Sequence, residues 1–142
     1  MSMSISGKTA IVTGSAHGIG LAIARHFVDK GANVVFADMD EAGLEAELGD
    51  EARAEGPIRK FGGDLCQKLT INNLLSFTID TFERVDILVN AARHMAVSDP
   101  LGVADDAVEL LWRDNVLTSL RLSQMTARRM IQQASRSGDA GE

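Results

Sequence analysis

Residues 13–20 read TGSAHGIG. They follow an apolar run, TAIVTG at 9–14, and lead into a segment in which Ile19, Ile23 and Phe27 recur at a helical interval of four. A turn that carries Gly14, Gly18 and Gly20 between a strand and a helix has a specific physical use. Backbone amides at a helix N-terminus bear partial positive charge, and an anion approaches them closely only where no side chain intervenes. The three glycines would supply the turn, the close approach and tight packing of helix on strand.

Outward from this turn, two more apolar runs stand out, NVVFAD at 33–38 and VDILVN at 85–90, with a weaker one, PIRKFGGD, at 57–64. None alternates polar with apolar, the pattern of strands buried on both faces of a parallel sheet. Helical periodicity fills the intervals. The first helix is closed by Gly31 as a C′ glycine. Another carries Ile71, Leu75, Thr78, Phe82 and Val85. Residues 40–56, DEAGLEAELGDEARAEG, read as an acidic helix with a thin apolar stripe and a solvated charged face. A long last helix is expected over 105–135. The order β-α-β-α-β-α-β-α predicts an α/β fold, a three-layer doubly wound Rossmann-type parallel sheet with right-handed crossovers. Its strand order should be 3-2-1-4, with the ligand crevice where the order reverses, between strands 1 and 4.

Composition narrows the setting. The 142 residues suit one domain, 1–142, and the 45% hydrophobic and 24% charged content fits a globular chain. No apolar run is long enough to span a bilayer, and MSMSISGK lacks the apolar core of a secretory signal, so no membrane partner is expected. Cys66 is the sole cysteine, which rules out an internal disulfide and points to a reducing cytoplasm. A net charge of −6 argues against nucleic acid as a partner.

The spacing G-x-x-x-G-x-G differs from the common G-x-G-x-x-G fingerprint. It resembles the T-G-x-x-x-G-I-G signature of the short-chain dehydrogenase/reductase family, matched at Thr13, Gly14, Gly18, Ile19 and Gly20. The resemblance covers almost the whole chain and corresponds to the family's N-terminal, cofactor-binding half. It implies an NAD-dependent oxidoreductase that passes a hydride between nicotinamide and a small alcohol or carbonyl substrate. Gly14, Ser15, His17, Gly18, Ile19 and Gly20 would form the cofactor loop. Asp38, 18 residues after Gly20, would accept hydrogen bonds from the adenosine ribose. A carboxylate there repels a 2′-phosphate, which favours NAD over NADP. His17 lies where NADP-preferring members often carry a base, yet an imidazole beside Asp38 is a poor phosphate anchor and reads as an exposed loop residue. Asp64 and Leu65 resemble the acidic pair that contacts adenine, with a helix N-cap as a coexisting role for Asp64. Asn90-Ala91-Ala92-Arg93 stands where the family shows N-N-A-G, so Asn90 and Ala92 match while Ala91 and Arg93 depart near the nicotinamide ribose. Asn115 aligns with the asparagine that holds a water in the family's proton relay; a structural amide is the alternative.

The family's catalytic serine, tyrosine and lysine are not found. The chain has no tyrosine, only 27 residues follow Asn115, and the last lysine is Lys68. The ending QQASRSGDAGE at 132–142 reads as a helix terminus and a polar turn of the kind that feeds a fifth strand. A sheet cut short after its fourth strand and following helix, with an exposed edge over Ile87, Leu88 and Val89, is therefore expected. The 142 residues alone are expected to be inactive. The alternative is a non-catalytic dinucleotide-binding or interaction module ending at residue 142. Leu110, Leu117 and Leu120 on one side of the last helix, with Val108, Leu111 and Leu122 on another, predict a homo-oligomer through that helix. Cys66 shows no activating base nearby, and His26, His94 and His17 have no metal-ligand spacing, so no metal is expected. Trp112 and the methionines read as packing residues, and Arg128-Arg129 as a complement to a helix end.

Overall fold

The computed structural model describes residues 3–53, 55–102 and 107–138. Four strands, β1 (Thr9–Thr13), β2 (Asn33–Asp38), β3 (Ile58–Gly62) and β4 (Ile87–Val89), pair in parallel in the order β3-β2-β1-β4. Helices α1 (Gly18–Asp29), α2 (Glu41–Leu48) and α3 (Lys68–Phe82) fill the crossovers. The expected doubly wound α/β topology and strand order are those observed.

The uninterrupted apolar runs have a simple cause: both faces of the sheet are covered. Successive side chains on a strand point to opposite faces. Ala10 and Val12 of β1 and Val34 and Phe36 of β2 therefore enter one core with Ala24 of α1 and Leu44 and Leu48 of α2. Ile11, Val35 and Ala37 enter the other with Ile71 and Leu74 of α3 and Leu122. Each such buried Val, Leu, Ile or Phe side chain contributes roughly 1.5–3 kcal/mol. β1 is wholly buried, whereas Ile87, Leu88 and Val89 are only half-buried, as expected for a strand paired on one side among the described residues.

Helix α1 differs from the expected stripe. Its buried residues are Gly20 and Ala24, with Leu21, Phe27 and Val28 packed against the same core, and Ile19 is exposed. Two small residues face the sheet because backbone approaches backbone there, a contact that an apolar count does not register. Gly31 closes the helix as expected: at φ +85° it donates to Val28, and Ala32 donates to Phe27, a Schellman pair of bonds. The acidic segment of α2 and the following 3₁₀ turn (Gly49–Ala52) is exposed as expected but is also paired. Arg25 of α1 bridges Glu47 and Glu51 and lies over the Phe36 ring, and Lys60 pairs with Glu45.

The last helix is interrupted. Helix α4 (Ala107–Leu111) passes through a π-helical turn (Trp112–Leu117) into α5 (Thr118–Ser137). The hydroxyl and amide of Thr118 both donate to the carbonyl of Arg113, five residues back. The expected start near residue 105 and the tail after 138 lie outside the described residues. The expected pairing of apolar sides also changes. Leu122 enters the core with Met125 and Met130 beside it, while Val108, Trp112, Val116 and Leu120 are exposed at intervals of four. Trp112 is thus not a core residue, nor are Met3, Met39 and Met95. Arg128 and Arg129 lie well before the helix end, along a groove facing Asn72 and Asp80 of α3; the basic residue of the last turn is Arg136.

Where β4 begins, Asp86 fastens it to β1. Its carboxylate accepts from the Thr9 amide at 2.9 Å and from Arg84, and its own amide donates to the Thr9 carbonyl. Burial pushes this carboxyl up, but the bonds from Arg84 and Thr9 outweigh burial and hold it below the usual range. The folded state therefore binds this proton less tightly than the unfolded chain, so its contribution is present above the ordinary carboxylate range and fades as pH falls through the depressed value. Asp86→Ala should cost about 1–2 kcal/mol in urea unfolding at neutral pH. The difference from the parent chain should shrink below about pH 4.

Candidate cofactor cleft

The carboxyl ends of β1, β2 and β4 converge on the glycine turn, and Thr13 joins the first to the last. Its hydroxyl donates to the Val89 carbonyl at 3.4 Å and accepts from the amides of Ala91 and Ala92 at 3.2 and 3.1 Å. The chain leaving β4 is thereby drawn over Gly14. A Cβ on Gly14, at φ +64°, would lie 2.6 Å from the Ala92 Cα. A Cβ on Gly20 would come closer still to the Gly14 carbonyl oxygen, so its absence seats the first turn of α1 on the end of β1. Gly18, at φ +55°, has nothing within 4 Å of its missing Cβ. One glycine thus serves a backbone crossing, one a helix contact, and one leaves an open face at the helix N-terminus. Exposed Ile19 stands beside that face.

Asp38, at the end of β2, holds the loop from the other side. One carboxylate oxygen accepts from the Ala16 amide and the other from the Asp40 amide, both at 3.0 Å. A carboxylate offers about four acceptor sites, so both oxygens keep capacity for a ligand hydroxyl. Ser15 behaves differently from expectation. It is fully buried, and its amide and hydroxyl both donate to Ala37 at 3.3 Å, so its side chain faces the sheet rather than the cleft. His17 is exposed as expected, but its partner is Asp40 and not Asp38: Nε2 lies 2.6 Å from the Asp40 carboxylate. Asp40 also caps α2 by accepting from the Gly43 amide at 2.9 Å. The Gly43 amide, followed by His17, holds the Asp40 carboxyl below its usual range.

At the end of β3, Gly63 donates to the Asp38 carbonyl, and exposed Asp64 follows on the same edge. Asp64 does not cap α3, whose N-cap is Gln67; it accepts from the Cys66 amide in a tight turn just before the helix. Leu65 is buried with Ile71 and Leu74, which leaves its backbone to meet any ligand. Asn90 and Ala92 are exposed at the end of β4, and the Asn90 amide donates to the Ser123 hydroxyl of α5 at 3.0 Å.

Asn115 lies within the π-helical turn, a feature frequent at functional sites. Its side-chain oxygen accepts from the His94 amide at 2.7 Å and its nitrogen donates to the His94 carbonyl at 2.9 Å. The amide therefore clamps the segment that continues from Ala92. Beside it, Asp114 meets Arg113, His94 and the Cys66 thiol. Burial raises the Asp114 carboxyl, but the Arg113 and Cys66 bonds prevail and lower it. Burial pushes the Cys66 thiol up, Thr118 opposes this, and Asp114 and Asp64 add to it. A thiol held this way stays protonated, so Cys66 belongs to the scaffold of the turn. Sequence reading missed Asp40, Asp114 and the clamp role of Thr13. Only the cap of Asp40 had a local signal, an acid just before a helix. No group of three or more His, Cys, Asp or Glu able to hold a metal occurs among the described residues. No helix there is long and apolar enough to cross a membrane.

These features define a doubly wound α/β cleft with a crossing strand end over its first glycine. The short chain dehydrogenase family model matches residues 8–139, and the chain belongs to that family. It is 37% identical over 121 residues to an L-fucose dehydrogenase of Rattus norvegicus, covering 84% of this chain and 43% of that protein. It is 34% identical over 130 residues to a diacetyl reductase of Staphylococcus epidermidis, covering 91% and 50%. The chain spans about half the length of these curated relatives. Its fold matches the crystal structure of a 3-ketoacyl-(acyl-carrier-protein) reductase from Brucella melitensis complexed with NADH, with TM-score 0.82, 24% identity, and 94% of this chain and 54% of that one covered.

The glycines should separate by substitution. Gly14→Ala must displace the chain at Ala92 and adopt a left-handed backbone, and should cost about 3 kcal/mol or more in denaturant unfolding. Gly18→Ala meets only the backbone penalty and should cost about 1 kcal/mol.

Proposed function

We propose that this chain is the cofactor-binding domain, over residues 1–142, of an NAD-dependent oxidoreductase acting on a small alcohol or carbonyl compound. The observation that carries the reading is the open face at Gly18, bounded by Asp38 on one side and by the Ala92 crossing on the other. A pyrophosphate suits the helix N-terminus at Gly18, where amides are free of a covering side chain. Asp38 suits the adenosine ribose and disfavours a 2′-phosphate, and Asp64, at the neighbouring strand end, suits the adenine amine. Asn90 and Ala92 would flank the nicotinamide ribose. The bound dinucleotide supplies hydride chemistry. The chain's own part is to hold and orient it and, through Asn115, to keep the 91–95 segment in place beside the substrate, with a water on Asn115 in the proton relay.

The names of the relatives, which include an L-fucose dehydrogenase and a diacetyl reductase, support a small hydroxyl- or carbonyl-bearing substrate. The exposed apolar row Val108, Trp112, Val116 and Leu120 supports assembly of like chains through the last helix. A sole cysteine kept as a thiol supports a cytoplasmic setting, and the acidic charge disfavours nucleic acid.

Fluorescence titration with NADH tests the reading. The 142-residue chain should quench and bind saturably, and Asp38→Ala should weaken NAD+ and NADH by about 10-fold, the loss of hydrogen bonds to a charged acceptor. Unchanged affinity would remove Asp38 from the ribose site. Because no tyrosine is present, the same chain incubated with alcohols and NAD+ should produce no NADH absorbance at 340 nm, a wavelength ~340 nm being where the reduced ring absorbs. Turnover would show that another proton donor exists in these residues.

A further inference from the structure

Two edges of the cleft come from separate parts of the chain: the turn 64–66 after β3 and the segment 91–95 after β4. One carboxylate meets both. Asp114 Oδ1 accepts from the Cys66 thiol at 3.2 Å, and its Oδ2 lies 3.4 Å from Nδ1 of His94. The Cys66 amide in turn donates to Asp64 at 2.9 Å, so the thiol is placed by the same turn that presents the Asp64 carboxylate. The Thr118 hydroxyl, just past the π-helical turn, lies 3.3 Å from the Cys66 sulfur. Arg113 Nε donates to Asp114 Oδ1 at 2.8 Å and steadies the carboxylate from its own turn. The Asp114 side chain is only 16% exposed, so these bonds are largely shielded from competing water. Asn115, next in the turn, holds the His94 backbone through its carbonyl and its amide. Adjacent residues thus engage the side chain and the backbone of His94, and the first of them also reaches 48 residues back to the β3 edge.

We infer that Asp114 is a positioning residue: through the Cys66 thiol on one side and the His94 imidazole on the other, it sets the separation of the adenine edge and the nicotinamide edge. The inference rests on the dinucleotide reading above. A ligand confined to one edge is indifferent to that separation. A ligand that spans both must find its two subsites at a fixed distance, so affinity lost when the edges drift is lost by the whole dinucleotide and not by its halves. Cys66 suits the link because its thiol stays protonated and therefore donates to the carboxylate.

The test is calorimetric titration of the 142-residue chain and of Asp114→Ala, Cys66→Ala and Cys66→Ser with NADH, alongside adenosine monophosphate, a probe of the adenine edge alone, read by its displacement of NADH. Asp114→Ala should weaken NADH by about 5-fold or more while the monophosphate changes by less than about 2-fold. Cys66→Ala removes one arm of the link and should weaken NADH by about 3-fold, again sparing the monophosphate. Cys66→Ser, whose hydroxyl still donates to Asp114, should stay within about 1.5-fold of the parent. A general loosening of the fold would weaken both ligands in step and would not be repaired by serine. Unchanged NADH affinity in a folded Asp114→Ala chain overturns the inference, as do equal losses for the two ligands. If that variant fails to fold, unchanged NADH affinity in Cys66→Ala, or a serine variant as weak as the alanine one, overturns it equally. Failure of the parent chain to bind NADH overturns the cofactor reading itself, and failure of the monophosphate to displace NADH overturns the adenine edge; either takes this inference with it.

Discussion

The close crossing of Gly14 by the chain leaving β4 is the constraint on which the rest of the cleft depends. It needs no side chain at residue 14 and a backbone at φ +64°, conditions that glycine meets without strain. The Thr13 hydroxyl then satisfies both amides of the crossing segment and reaches the Val89 carbonyl as well. Three polar backbone groups at a strand end are thereby paired by one side chain. This fixes the floor of the cleft relative to β1, and β1 is the most buried strand of the sheet.

From that floor, contacts spread outward in two directions. Toward β2, Ser15 and Asp38 tie the loop to the neighbouring strand, one by a buried hydroxyl and the other by a carboxylate bridging two amides. Toward the last helix, Asn115 grips the His94 backbone from a π-helical turn, and Asn90 reaches Ser123. Apart from the Asn90–Ser123 side-chain pair and the local Asp38–Asp40 bond, the site is held by side chain to backbone bonds across long sequence separations. Such bonds orient a binding surface while consuming little of its exposed polar capacity.

The departure of Ala91 and Arg93 from the family pattern acquires a meaning in this setting. Ala91 and Ala92 still donate to Thr13, so the crossing over Gly14 survives the change of sequence. Beyond the crossing, Asn115 holds the same segment at the His94 backbone. The interrupted helix follows the same logic. A π-helical turn widens the ladder locally, and the two residues that meet His94, Asp114 and Asn115, both lie within it.

The sheet was legible in the sequence because a strand covered on both faces leaves no polar positions, so TAIVTG and NVVFAD announce themselves and their order follows from topology. The turn was legible because a backbone crossing and a helix contact both demand glycine at fixed places. Other features had no local signature. The buried face of α1 is Gly20 and Ala24 because close backbone approach, not hydrophobicity, selects them, and this left Ile19 exposed. Ser15 looks like any loop serine until Ala37 arrives from β2. His17 and Asp40 are 23 residues apart and meet only because β1 and β2 are neighbours in the sheet. Local sequence determined which segments become strands, helices and turns, since those depend on periodicity and on backbone freedom. Which polar groups face one another was decided by the tertiary structure, because hydrogen-bond partners here come from strands and helices that are distant in the chain.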